Sequence, residues 1–404
     1  IAGYYQYKRL LGISEAINKS KQRPFYVIGG HGPSPEPEYF LKITGADVAV
    51  SGEGEYTMVE LVDALVNNRD LKAVKGIAYL EHSFLEGDRL VVTPERELVQ
   101  DLDTIPFPAY DLFPMTYYRL LRQPHCDATD FVIPLISSRG CTFKCTFCYR
   151  MDKGLRNRST ESVVEEMKML MKDYGINYFA FADELLMSSV ERTVDICEGI
   201  IKADLGDIKW ECAGRLNYAA REPEMMHIMK KAGCIFINYG IEAMDDAVLA
   251  NMKKGLRVDM VYAGIDATLA SGITPRYNII FGNIGDNRET LDTAVKFLLQ
   301  YDEGEELRTI RPVTPYPGTP LYYDAIERGL LKDCEDFYEN KHTNSDLLAV
   351  NFTELSDDEF HEALMEANVR LLDNYYEMKK QKSIDQAQAL YLEQNAAFRG
   401  WRQT

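Results

Sequence analysis

The sequence has no run approaching the roughly 18 consecutive apolar residues that a membrane-spanning helix requires. Its opening, Ile1-Ala2-Gly3-Tyr4, has neither the basic nor the apolar stretch of a secretory leader, so a cytoplasmic protein is the expectation. Positive charge is also scarce. With 45 Lys and Arg against 63 Asp and Glu the net charge is -18, which opposes contact with a phosphate backbone, because that affinity is built from clustered cations. A nucleic-acid partner is disfavoured on this ground. The cysteine count is unremarkable. Of eight in 404 residues, five (Cys126, Cys197, Cys212, Cys234 and Cys334) stand singly, as expected of reduced thiols where disulfides are rare. There is no repeat of fixed period and no low-complexity tract. What remains is an ordinary globular composition, 46% hydrophobic and 27% charged, on a chain long enough for about two or three domains.

The other three cysteines are crowded into Arg139-Gly140-Cys141-Thr142-Phe143-Lys144-Cys145-Thr146-Phe147-Cys148-Tyr149-Arg150. A tight triplet in a reducing compartment points to a metal site rather than to a bridge. Three thiolates can hold three irons of a four-iron, four-sulfur cluster, which usually takes four cysteines, so one iron would stay open. Structural zinc would want a fourth ligand at similarly short spacing. None follows, and Cys126 with the adjacent His125 lies well upstream.

Alternating α/β pattern surrounds the triplet. Residues 1–82 show helical spacing from Tyr4 to Lys19, then strand runs at Phe25 to Ile28, Ala46 to Val50 and Lys75 to Tyr79. The chain opens on a helix and has too few strands to close a doubly wound sheet, so this is expected to be the C-terminal part of a Rossmann-like domain. Two of its strands end in glycine loops, Gly29-Gly30-His31-Gly32-Pro33 and Ser51-Gly52-Glu53-Gly54-Glu55. Such loops either admit a bulky ligand or are simply tight turns, and His31 alone reads as a loop residue as readily as a ligand. Residues 83–130, with prolines among aromatics and acids from Asp101 to Pro114, read as an extended connector. From Phe131 the strand–loop–helix pattern repeats about six times. Strands are expected at Phe131 to Ser137, Tyr178 to Ala182, Ile208 to Ala213, Ile235 to Ile241, Arg276 to Phe281 and Leu307 to Val313. That predicts an open, partial (β/α)6 barrel over residues 131–330, with working loops at the carboxyl ends of its strands. Residues 331–404 are expected to form a helical C-terminal segment.

Cys-x3-Cys-x-aromatic-Cys after the first strand of a partial barrel resembles the radical S-adenosylmethionine (SAM) enzymes. The resemblance implies that Cys141, Cys145 and Cys148 hold a 4Fe-4S cluster. Its open iron would bind the amino and carboxylate groups of SAM, and reductive cleavage would give a 5'-deoxyadenosyl radical. It further implies SAM contacts, in strand order, from Phe147 at the adenine, Asp183 and Glu184 at the amino group, Arg215 at the carboxylate, Glu242 at the ribose and Gly282 near the adenine. The second motif departs from the family's Gly-Gly-Glu, and Ile284 and Asp286 replace the proline and glutamate of its fifth-strand turn. The front half is similar to the cobalamin-binding domain and linker of the large cobalamin-dependent subfamily, which implies that Gly29, Gly30, His31, Gly32, Ser51, Gly52, Glu53 and Gly54 line a groove for the cobalamin nucleotide tail.

From this resemblance the expected activity is methylation of an unactivated carbon of a small molecule, with an electron from a reductase or flavodoxin-type donor. A cyclase or oxidative enzyme is the alternative. A tRNA methylthiotransferase is opposed by the acidic charge, and a non-catalytic sensor or electron carrier would not need the SAM-binding set.

Overall fold

Short apolar runs leading into glycine loops form the parallel strands of the first sheet. The computed structural model describes residues 6–83, 87–121, 126–150 and 154–395, so Tyr4, His125 and the last nine residues lie outside the described residues. The front unit runs α1 (Tyr7–Asn18), β1 (Val27–Gly29), α2 (Pro37–Thr44), β2 (Val48–Val50), α3 (Gly54–Val66), β3 (Ile77–Ser83) and β4 (Gly87–Val92). Its strands lie in the order β1-β2-β3-β4. β1 and β2 are parallel, whereas β3 and β4 join as antiparallel neighbours. Thus the sheet continues past residue 82 into the expected connector. β4 is largely exposed along its length, and its weak apolar pattern explains why it does not read as a strand.

After β4 the proline-rich chain alternates extended stretches with two single 3-10 turns, Leu102–Thr104 and Tyr110–Leu112, up to the short helix α4 (Met115–Tyr118). The connector is packed rather than loose. Asp103 accepts hydrogen bonds from the Ser159 N–H at 3.0 and 3.1 Å, and the Tyr110 hydroxyl donates to Glu166 at 2.7 Å.

The second unit opens with β5 (Val132–Leu135) and a polar hairpin of β6 (Ser138–Cys141) and β7 (Gly154–Asn157). It continues α5 (Thr160–Tyr174), β8 (Tyr178–Phe181), α6 (Val190–Ala203), β9 (Lys209–Gly214), α7 (Leu216–Arg221), α8 (Pro223–Lys231) and β10 (Cys234–Glu242). Then come α9 (Asp246–Asn251), α10 (Val258–Ala270), β11 (Thr274–Phe281), α11 (Arg288–Gln300), β12 (Arg311–Pro312), α12 (Pro320–Glu327) and α13 (Asp357–Tyr391). Six strands form one parallel sheet in the order β12-β11-β10-β9-β8-β5, the half-open barrel the alternation predicts. Helix starts follow local chemistry: Ser159, Ser189, Asp245 and Asn287 cap α5, α6, α9 and α11 by accepting from N–H groups of the first turn. The core between sheet and helices is fully buried at Val163, Met167, Phe179, Ile196, Trp210, Ile237, Val261, Ile265 and Val295.

The open edge of the sheet is covered by α13. Its Asn368 side chain accepts from the Ile310 N–H at 2.8 Å and donates to the Ile310 carbonyl at 3.0 Å, taking the place of a neighbouring strand. Residues before α13 turn the other way. Leu331, Phe337, Tyr338, Val350 and Phe352 share a core with Tyr7, Tyr26, Phe40 and Leu41 of the front unit. No helix among the described residues is long and apolar enough to cross a membrane.

Candidate cluster and SAM site

The cysteine loop starts from a fixed base. Asp183, at the end of β8, accepts from the Ser137 N–H at 3.0 and 3.2 Å, from the Ser137 hydroxyl at 2.9 Å and from the Ser138 hydroxyl at 2.5 Å. These bonds fix the chain where it leaves β5 and enters β6, whose last residue is Cys141. Cys141 therefore stands on a hairpin strand, and only Cys145 and Cys148 lie in the loop beyond. The loop is held on both sides: the Thr146 N–H donates to the Met252 carbonyl at 3.0 Å, and the Leu321 N–H donates to the Thr146 carbonyl at 2.9 Å.

Two of the thiols, Cys141 and Cys148, feel the charge around them. Desolvation by the surrounding loops pushes the Cys148 thiol up to about 12 although the residue keeps an exposed side, and the charges of Cys145, Glu184 and Cys141 push the same way against Lys254. Cys141 is raised first by burial, then by Cys145 and Glu184, while the Phe143 N–H and Arg215 oppose the rise. Cys141 and Cys148 so placed resist ionising until a cationic centre reverses the local electrostatics, as bound iron does. Among the described residues no three His, Cys, Asp or Glu side chains converge on a single ion. In a cubane each thiolate binds a different iron, so convergence on one point is not needed, and the residues present fit a cluster better than a lone zinc.

The residues expected to serve SAM divide into two groups. Glu184 is exposed beside the cysteines, close enough for its charge to bear on Cys141 and Cys148. Arg215, at the end of β9, is buried with its guanidinium carbon 3.4 Å from the centroid of the Phe143 ring and donates to the Lys254 carbonyl, which lays it along the cysteine loop. Glu242 ends β10 at a register shift and holds a φ of +74°, a conformation that aims its carboxylate at Lys254 Nζ, 2.8 Å away. Lys254 in turn lies 5.6 Å from the centroid of the Phe147 ring. These side chains surround the cysteines.

Asp183 and Gly282 belong to the framework instead. Asp183 is buried and occupied by the two serines. Gly282 has φ +97°, and a Cβ there would stand 2.7 Å from the Phe360 ring of α13. Asp286 closes the same turn by accepting from the Gly282 and Asn283 N–H groups at 3.0 and 2.9 Å.

The first glycine loop reaches the cluster loop. His31 packs edge-on to Tyr149 at 5.7 Å between ring centroids, and a Cβ at Gly318 would stand 2.6 Å from the Tyr149 ring and 2.7 Å from Pro35. Three loops thus meet next to Cys148. Gly29 closes β1, the Ser34 N–H donates back to the Gly30 carbonyl at 3.1 Å, and Gly32 is buried. The Ser34 hydroxyl is buried and has no hydrogen-bond partner among the described residues. In the second loop the Ser51 N–H donates to the Gly76 carbonyl at 2.9 Å, and a Cβ at Gly52 or Gly54 would meet nothing within 4 Å. That space, with the unpaired Ser34 hydroxyl, fits a bulky ligand along the sheet edge. Glu53 does not face it; its carboxylate is engaged by Arg139, Arg156 and the Val99 N–H.

The radical SAM superfamily model matches residues 135–298. An uncharacterised methyltransferase of Pyrococcus horikoshii is 32% identical over 323 residues, which are 79% of this chain and 67% of that protein. The chain belongs to the radical SAM superfamily. An anaerobic magnesium-protoporphyrin IX monomethyl ester cyclase of Rubrivivax gelatinosus is 27% identical over 339 residues, covering 82% of this chain and 58% of the cyclase. The chain therefore spans between about half and two thirds of the length of such curated relatives. Among solved structures, the radical SAM methyltransferase TsrM of Kitasatospora setae, with cobalamin and a [4Fe-4S] cluster bound, superposes with a TM-score of 0.68 at 17% identity over 90% of this chain and 75% of that one. This is likeness of fold.

Within this radical SAM fold, sequence reasoning missed Lys254, Phe143 and the Arg139–Arg156 pair. Lys254 stands in a polar turn, Met252-Lys253-Lys254-Gly255, where no periodicity marks one lysine as buried. The only available signal was that this turn leads from the helix after β10, the strand that carries Glu242.

Proposed function

We propose that this chain is a cobalamin-using radical SAM methyltransferase that methylates an unactivated carbon of a small molecule. The observation that carries the reading is the convergence of Cys141, Cys145 and Cys148 with Glu184, Arg215 and the Glu242–Lys254 pair, directly beside the glycine loop at His31 and Pro35. When bound, the reduced cluster supplies an electron to the SAM sulfonium and the corrinoid a transferable methyl group. Glu184 receives the SAM ammonium and Arg215 the carboxylate, a pairing suited to a planar guanidinium. Glu242 turns from Lys254 to the ribose hydroxyls, and Phe147 offers its ring to the adenine. Gly29, Gly30, His31, Gly32, Ser51, Gly52 and Gly54, with the backbone of Glu53, line the corrinoid groove. Tyr149, Pro35 and Gly318 exclude water where the loops meet. A reductase or flavodoxin-type protein delivers the electron.

Anaerobic reconstitution followed by dithionite and SAM tests the reading. The wild type should form 5'-deoxyadenosine and Cys145→Ala none; equal, negligible product from both would overturn the enzyme assignment. Corrinoid absorbance should appear after supplementation, and its absence with normal SAM cleavage would remove cobalamin from the reading. The likeness to the Rubrivivax cyclase supports ring formation as the second reading. Methyl-labelled SAM separates the two, since a methyltransferase leaves label in the product and a cyclase does not.

A further inference from the structure

Arg139 and Arg156 face each other directly across the β6–β7 hairpin. Like charges opposite one another on an antiparallel pair destabilise it, and β6 ends on a proposed cluster ligand, with Cys141 opposite Gly154 in the same register. The anion between the two guanidiniums comes from the front unit. Glu53 Oε1 accepts from Arg139 at 2.6 Å and from Arg156 at 2.9 Å, while Oε2 accepts from Arg156 at 3.0 Å and from the Val99 N–H at 2.7 Å. Arg156 also donates to the Val99 carbonyl at 2.7 Å, and Glu55 makes a more exposed contact to Arg139. The side chains of Glu53 and Arg156 are 5% and 8% exposed, so water does little to screen either the repulsion or its relief. Two arginines and two glutamates form a neutral quartet across the join between the units.

We infer that Glu53 is a positioning residue for the cluster. Its carboxylate keeps the two arginines in register and so holds Cys141 where Cys145 and Cys148 can share a cluster with it. Stable cluster binding by the barrel then depends on the docked front unit, whether or not the corrinoid groove is filled. The inference rests on the reading of the three cysteines as cluster ligands.

The test uses the full chain, reconstituted anaerobically, as wild type, Glu53→Gln, Arg156→Gln and the double variant. Cluster loss to a chelator is followed by visible absorbance, the reduced cluster by its electron paramagnetic resonance spectrum with and without SAM, and the hairpin by amide exchange of residues 138–141 and 154–157 in the cluster-free chain. Glu53→Gln should lose its cluster about 10- to 100-fold faster, the range expected when a group supporting a ligand is removed, with a changed SAM-bound spectrum and faster hairpin exchange. The double variant, lacking one of the repelling charges, should recover much of the wild-type rate. If Glu53→Gln retains its cluster as the wild type does, or if the double variant is the sum of the singles, the inference is overturned while the cysteine reading stands. A wild type that takes up no cluster overturns both.

Discussion

Asp183 and Glu184 are neighbours in opposite environments, the first buried and the second exposed. Burial pushes the Asp183 carboxyl up, and hydrogen bonds from Ser138 and Ser137 oppose that push. Replacing it by Asn turns a donor toward the Ser137 N–H, so Asp183→Asn should cost about 2 to 4 kcal/mol in urea unfolding, as expected when buried donors lose a charged acceptor. Glu184→Gln should leave the unfolding midpoint unchanged and weaken SAM binding. Gly282 can be tested similarly. Gly282→Ala combines a left-handed backbone with the approach to Phe360 and should destabilise by about 2 to 4 kcal/mol; a loss of SAM affinity at unchanged stability would instead make it a ligand contact. At this scale the cysteine triplet was legible as a candidate ligand set, because such spacing is local. The sequence did not distinguish Asp183 from Glu184, since adjacent carboxylates differ only in which way β8 turns them, and Lys254 acquires its meaning solely from the fold.

The six barrel strands were legible because buried parallel strands are continuous apolar runs between amphipathic helices. The β6–β7 hairpin was not, being built from Ser, Arg, Gly, Cys and Asn with a single Leu, a set with no strand periodicity. β12 shrinks to two residues because Asn368 of α13 performs the pairing next to it. Asn368→Leu would leave the Ile310 N–H and carbonyl without partners, and a loss of about 2 to 4 kcal/mol is expected in urea unfolding; an unchanged midpoint would mean that water replaces the amide. The hairpin also carries a pH signature. Burial would raise the Glu55 carboxyl, but hydrogen bonds from Arg139 and its own backbone N–H outweigh that and hold it below 4.5. A depressed carboxyl contributes stability at pH above its ordinary value and loses it as pH falls through the depressed one. Wild type should therefore lose more stability than Glu55→Gln on acidification below 4.5, and parallel curves would refute the contact. The contribution is small because the Glu55 side chain is 38% exposed.

Read linearly, the chain is a front domain, a connector, a barrel and a tail. Folded, the segment between β12 and α13 leaves the barrel and packs on the front unit. Tyr338 stacks on Tyr7 at 4.5 Å between ring centroids and meets Phe40 edge-on at 5.5 Å, and the Tyr7 hydroxyl donates to Glu339, 332 residues away. No periodic pattern encodes contacts at such separation, which is why the join was invisible in sequence. The shared core means that the front unit cannot bury α1 and α2 without the segment that follows the barrel, and the Glu53 quartet and the Tyr149 contacts tie the same two bodies together at the cysteine loop. Interfaces of this kind couple unfolding, because opening one exposes the apolar surface of both. This chain should unfold in a single calorimetric transition. Tyr338→Ala should lower the stability of the whole molecule by about 3 to 5 kcal/mol, the range for removing a buried aromatic side chain, and should speed cluster loss although Tyr338 lies outside the cysteine loop. Two resolved transitions in the wild type, with Tyr338→Ala shifting only one, would show that the front unit and the barrel are independent and that their join is a docking contact rather than a core.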